Sequence, residues 1–131
     1  MNFNRSFSVF AVCTFLLFSC TEKIKKETLY GRWSYIKVQN FNPPDSLSQA
    51  ELQKEKPAII FSADSNLLIE WGGKRLSYGT FKMDGNMIRY TEILEGGRKR
   101  SFPFLIKEFK NNKLVFETME QNSTRVTAVR D

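Results

Sequence analysis

From Leu29 onward, turn signals interrupt the chain every 8 to 15 residues: Gly72-Gly73, Asp84-Gly85, Gly96-Gly97 and Asn111-Asn112. The stretches between them are rich in β-branched and aromatic residues, the sequence sign of an all-β sandwich or barrel. Candidate strands are residues 30–38, 58–62, 66–71, 75–83, 86–93, 99–109, 113–119 and 124–130, eight in all. Apolar and polar residues alternate within several of them. Ile59 shares a face with Phe61, Ile88 and Tyr90 flank Arg89, and Val126 and Ala128 flank Thr127, so one face of each strand can line a core. Strands joined this tightly are antiparallel neighbours, because a parallel pair needs a crossover of a dozen or more residues. Asp84-Gly85 reads as the two-residue turn of a hairpin, and Asn111-Asn112 can serve similarly.

Residues 39–57 are the one long connection. Pro43-Pro44 reads as a strand breaker. Asp45 or Ser46 could cap a short helix, with Leu47, Ala50 and Leu52 as its apolar side. An eight-stranded meander leaves two unpaired edges unless it closes on itself. The expected fold is therefore an eight-stranded antiparallel up-and-down barrel with a short helix or irregular insert between strands one and two. At that strand number the interior is filled by side chains or holds one small ligand.

Composition narrows the chemistry. The chain has no histidine and 2 cysteines, so Ser-His-Asp and Cys-His sites are excluded and imidazole-based metal centres lose their commonest ligand. No catalytic residue, cofactor or metal site is expected. Glu70 and Glu92 are the carboxylates one would pair for acid-base work, and both read as solvated strand residues. The net charge of +6 is modest and no nucleic-acid signature occurs.

Residues 1–19 precede this domain. Arg5 is followed by an apolar run through Cys20 without a charge, too short for a transmembrane helix of about 20 residues and suited to the core of a secretory signal. The segment Leu17-Phe18-Ser19-Cys20 resembles the lipobox of bacterial lipoproteins, with Phe18 where a small residue is usual. The resemblance implies cleavage before Cys20, lipidation of Cys20, and a lipid-anchored place in the cell envelope, at the outer membrane on its periplasmic or surface face. Removing residues 1–19 leaves 112 residues with one cysteine and five fewer phenylalanines. No disulfide can then form within the chain. Residues 20–29, polar and without periodicity, read as a tether, and residues 30–131 as the domain.

Gly31-Arg32-Trp33 resembles the G-x-W motif that opens the first strand of lipocalins, and lipocalin-like domains occur in small bacterial lipoproteins. The resemblance spans Leu29 to Asp131. It implies that Gly31 and Trp33 close the bottom of the barrel under a basic residue of the last strand, Arg130 by position or else Arg125.

Meander parity sends the loops at 39–57, 72–74, 94–98 and 120–123 to one end, opposite the tether. Lys74, Arg75, Arg98, Lys99 and Arg100 gather there, with Trp71, Tyr78 and Phe41 nearby. Two functions follow. Either the barrel binds or carries a small apolar or amphiphilic, anionic molecule at this mouth, or a filled barrel uses its loops as a non-enzymatic protein-interaction or inhibitor module toward an envelope partner.

Overall fold

A computed structural model of the chain describes residues 24–119 and 123–131. Cys20, the preceding segment and part of the last loop lie outside the described residues. The elements are a helical turn α1 (Lys26–Leu29), β1 (Gly31–Phe41), β2 (Pro44–Ser46), helix α2 (Gln49–Glu55), β3 (Ala58–Phe61), β4 (Asn66–Trp71), β5 (Lys74–Asp84), β6 (Met87–Ile93), a 3-10 turn (Glu95–Gly97), β7 (Lys99–Lys110), β8 (Lys113–Thr118) and β9 (Thr124–Arg130). Each strand from β3 to β8 pairs antiparallel with its successor, and β1 pairs with both β3 and β9. Eight strands thus close a barrel, and β2 lies outside it against β1.

Three features differ from the sequence expectation. Pro44 does not break strand structure: residues 44–46 pair with 39–41 of β1. A proline is tolerated because β2 is an edge strand, whose ladder does not need every N–H. Helix α2 is capped by Ser48, whose Oγ accepts from the Glu51 N–H at 3.1 Å. Asp45 instead accepts from the N–H of Ser46. The β5–β6 turn is Gly85-Asn86, one residue beyond the expected pair, since Asp84 still pairs with Met87.

Register shifts in β1 between Tyr35 and Lys37, in β5 at Leu76 and in β7 between Ile106 and Glu108 bend the wall, as bulges do in barrels. The first keeps both Tyr35 and Val38 inside while Ile36 is exposed. The core between the strands is largely aromatic. Phe104 lies 5.3 Å from Phe116 and 5.7 Å from Tyr90, Tyr35 lies 6.1 Å from Phe116, and Phe61 lies 5.1 Å from Phe81. Such pairs add about 0.5–1.5 kcal/mol each beyond the burial of their area.

Candidate functional site

The two ends of the barrel are built differently. At the closed end, Trp33 is fully buried, its Nε1 donates to the Leu29 carbonyl at 2.8 Å, and its ring lies 5.8 Å from Phe109. Arg130, directly opposite Trp33 in the β1–β9 register, holds its guanidinium 4.3 Å from the indole centre. It donates to the carbonyls of Tyr30 and Thr28, both at 2.5 Å. Gly31 has φ of +126°, and a Cβ there would lie 3.2 Å from Arg130 Nη1, so the glycine supplies both the backbone angle and the clearance. Arg125 points elsewhere: it pairs with Glu117 at 2.6 Å and lies 5.2 Å from the Phe41 ring.

Residues 24–29, assigned to the tether by their polarity, seal this end. Leu29 is fully buried, Ile24 packs against the core, and Lys26 bonds the Ser65 hydroxyl. A groove of about 650 Å³ is lined by Ile24, Lys25, Thr28, Ile106, Lys107, Glu108 and Phe109. It lies beside this plug, far from the basic hairpin tips.

At the loop end, α2 covers the opening. Leu52 is 6% exposed and belongs to the core cluster, with Leu47 and Trp71 packed against it. Ala50, expected on the apolar side, is exposed. The helix is tied down at its end, where the Gly72 N–H donates to the Glu55 carbonyl at 2.7 Å and the Tyr35 N–H to that of Pro57 at 2.9 Å.

The sequence-predicted rim residues do not share one cavity. Arg100, itself exposed, reaches Glu92 at 2.8 Å. Arg75 stacks on Tyr78, its guanidinium 3.8 Å from the ring centre, on the outer face where Tyr78 opposes Leu68. Lys74, Arg98 and Lys99 are exposed, and Trp71 is half-buried. Phe41 is 42% exposed at the far end of β1, beside Arg125 and several strands away from Tyr78.

The two glutamates stand on opposite faces of the wall. Glu70 reaches Arg32 at 2.5 Å outside. Glu92, read as solvated, is instead only 8% exposed and points inward. It accepts from Arg100 and from Ser77, whose hydroxyl also meets the Tyr90 hydroxyl at 2.6 Å. Burial pushes the Tyr90 phenol up to about 12, the Glu92 charge adding to this and the Ser77 hydrogen bond opposing it. Period-two phasing carried the signal for this network: Glu92 is in phase with Ile88 and Tyr90, and Arg100 with Phe102 and Phe104. Ser77 is in phase with Phe81. Beside the network, a cleft of about 280 Å³ opens between Arg75, Leu76 and Tyr78 on β5 and Ile93 and Leu94 after it.

Among the described residues no group of three or more His, Cys, Asp or Glu could hold a metal ion, and no helix is long and apolar enough to cross a membrane. No protein-family model matches the chain, and neither a curated protein nor a solved structure matches it at a significant level.

Proposed function

We propose that this is a lipid-anchored module of the bacterial cell envelope that binds other proteins through the outer surface and loop end of its barrel, without catalysing a reaction. The observation that carries this reading is the occupied interior. Tyr35, Phe61, Phe81, Tyr90, Phe104 and Phe116 are buried against one another where a carrier would keep its ligand, and Leu52 of α2 covers the end through which one would enter. Exposed apolar side chains lie on the outside instead, at Ile36, Phe41, Leu76 and Tyr78.

The anchor rests on the lipobox resemblance at 17–20. Ile24, packed on the closed end, stands four residues beyond Cys20. At about 3.5 Å per residue the anchor would hold that end within about 14 Å of the membrane surface. The loop end then faces away, toward partners, at the outer membrane on its periplasmic or surface side.

A second reading, a lipocalin-like carrier of a small amphiphilic anion, is favoured by one observation: the cleft of about 280 Å³ with Arg75 at its lip. Native mass spectrometry of the chain purified from membranes decides between them. The interaction reading expects only the acylated polypeptide mass; a co-purified small molecule, displaced by a fluorescent fatty acid, would overturn it.

A further inference from the structure

Strands β5 and β6 pair only between Gly79 opposite Glu92 and Asp84 opposite Met87. Beyond that point, Lys74, Arg75, Ser77 and Tyr78 of β5 pair with β4 on one side, with Leu76 bulged out between them, and among the described residues no strand pairs with their other side. The chain after β6 turns away, its Leu94 N–H donating to the Arg98 carbonyl at 2.6 Å, and returns as β7. The barrel wall is therefore split at the loop end. Gly79 marks the apex, where a Cβ would fall 1.9 Å from the Thr91 carbonyl oxygen.

The split does not open into the core. Ser77, Tyr90, Glu92 and Arg100 close its floor by hydrogen bonds among themselves. What remains accessible is the main-chain edge of β5 and the mixed cleft beside it, where Leu76, Tyr78, Ile93 and Leu94 supply the apolar part and Leu76 is 64% exposed. An unpaired edge next to exposed aliphatic surface is a template for another strand, and proteins blunt such edges with charge. Here the charge is in cationic excess. Arg75 lines the cleft, and Lys74, Arg98 and Lys99 are exposed on the two hairpins that flank it, against the carboxylates of Glu92 and Glu95, of which Glu92 is already paired with Arg100. Two copies of this edge would bring like charges together, so the chain's own edge is a poor partner and an acidic strand a good one.

We propose that residues 74–78 of β5 accept an extended acidic segment of a partner protein as an added strand. One aliphatic side chain of the segment enters the cleft between Leu76, Tyr78 and Ile93, and its carboxylates meet Lys74, Arg75 and Lys99. This rests on the interaction reading above and specifies its surface. Main-chain hydrogen bonds supply affinity and the cleft and cations supply selectivity, as in other strand-addition sites.

The test uses the isotope-labelled full chain in detergent and a synthetic octapeptide alternating Asp or Glu with Val or Ile. Two control peptides carry Lys in place of the acids, or N-methyl groups on alternate amides. The acidic peptide is expected to shift the amide resonances of residues 74–78 and 93–95 and to slow hydrogen exchange along 74–78. The Lys peptide and the N-methylated peptide are expected to bind at least about tenfold more weakly, the loss that goes with removed charge pairs or edge hydrogen bonds. Combined Lys74→Glu and Arg75→Glu substitution should weaken the acidic peptide similarly at unchanged circular dichroism, and Leu76→Asp supplies an independent variant should the double one misfold. Equal binding of the N-methylated peptide, shifts elsewhere on the barrel, self-association through the same amides, or no shift at millimolar peptide would overturn the assignment. If the peptide fails while native mass spectrometry finds no small molecule, only the edge is lost; a retained small molecule removes the interaction reading itself.

Discussion

Arg130 sits directly across the β1–β9 seam from Trp33, its guanidinium 4.3 Å from the indole centre while its two Nη atoms hold the carbonyls of Thr28 and Tyr30. One side chain thus ties the last strand, the first strand and the plug together. Trp33→Ala should cost about 3–5 kcal/mol, as for large aromatic truncations in cores. Arg130→Met should cost about 2 kcal/mol or more by leaving two carbonyls without their charged donor. Arg130→Lys should recover little, since a lysine cannot fork between two acceptors and stack at once. Urea unfolding of the three variants checks this; an unchanged midpoint for Arg130→Met would show that the seam is held elsewhere.

Gly79 tolerates no side chain, because the Thr91 carbonyl oxygen would lie 1.9 Å from a Cβ. Backbone cannot move aside as a flexible side chain would, so Gly79→Ala should destabilise by about 1–3 kcal/mol. Gly73→Ala is the control for crowding, since a Cβ there meets no atom within 4 Å, although its φ of +74° carries strain of its own. A thermal midpoint for Gly79→Ala equal to the wild type would contradict the close crossing.

The cover on the loop end predicts a paired outcome. Leu52→Ala should cost about 2–5 kcal/mol and increase fluorescence of an apolar dye by uncovering core surface. Ser48→Ala, which removes the cap from Glu51, should cost about 1 kcal/mol with little dye response.

Alkaline pH should weaken the fold. Burial raises the Tyr35 and Tyr90 phenols, Tyr90 to about 12 from an ordinary 10.0. Below pH 10 the tyrosines are neutral in both folded and unfolded chains. As pH rises above 10 the unfolded chain ionises first, so stability is lost progressively toward pH 12, with Tyr90 contributing no more than about 3 kcal/mol. Denaturant midpoints across this window should fall for the wild type and fall less for Tyr90→Phe.

Lipidation at Cys20 is checked by metabolic labelling with an alkyne analogue of palmitate. The wild type should be labelled and recovered with membranes, and Cys20→Ala should be neither. Label persisting on Cys20→Ala would refute the anchor.

Much of the barrel was legible because its grammar is local. Gly72-Gly73 and Asn111-Asn112 fix reversals by backbone angle, and the phasing of Ile88 and Tyr90 around Arg89 fixes a face. Strand bounds followed within a few residues, and β1 to β9 closure followed from the cost of open edges. Other features depended on distant partners. Residues 24–29 show no periodicity, yet Leu29 is buried because Trp33 and Arg130 give its neighbourhood a floor. Pro44 joins a strand because β1 runs three residues beyond its expected end. Whether the interior was empty turned on how Phe104, Phe116 and Tyr90 fit together, which spacing alone does not encode. The basic tips were visible as charges, but the faces they point to were not, since the bulge at Leu76 changes the register of Lys74 and Arg75 against β4.

The seam also dictates when the molecule can exist. Ser34 bonds Asp131, 97 residues further along the chain, and the edge of β1 opposite β2 and β3 has no partner until β9 is made. During synthesis the nascent sheet therefore carries an open edge until residues 124–130 are made. Contacts this remote in sequence fold slowly, on the millisecond-to-second scale of non-local β topologies. A chain delivered segment by segment cannot close early, and a nascent form stalled before residue 124 would hold two unpaired edges.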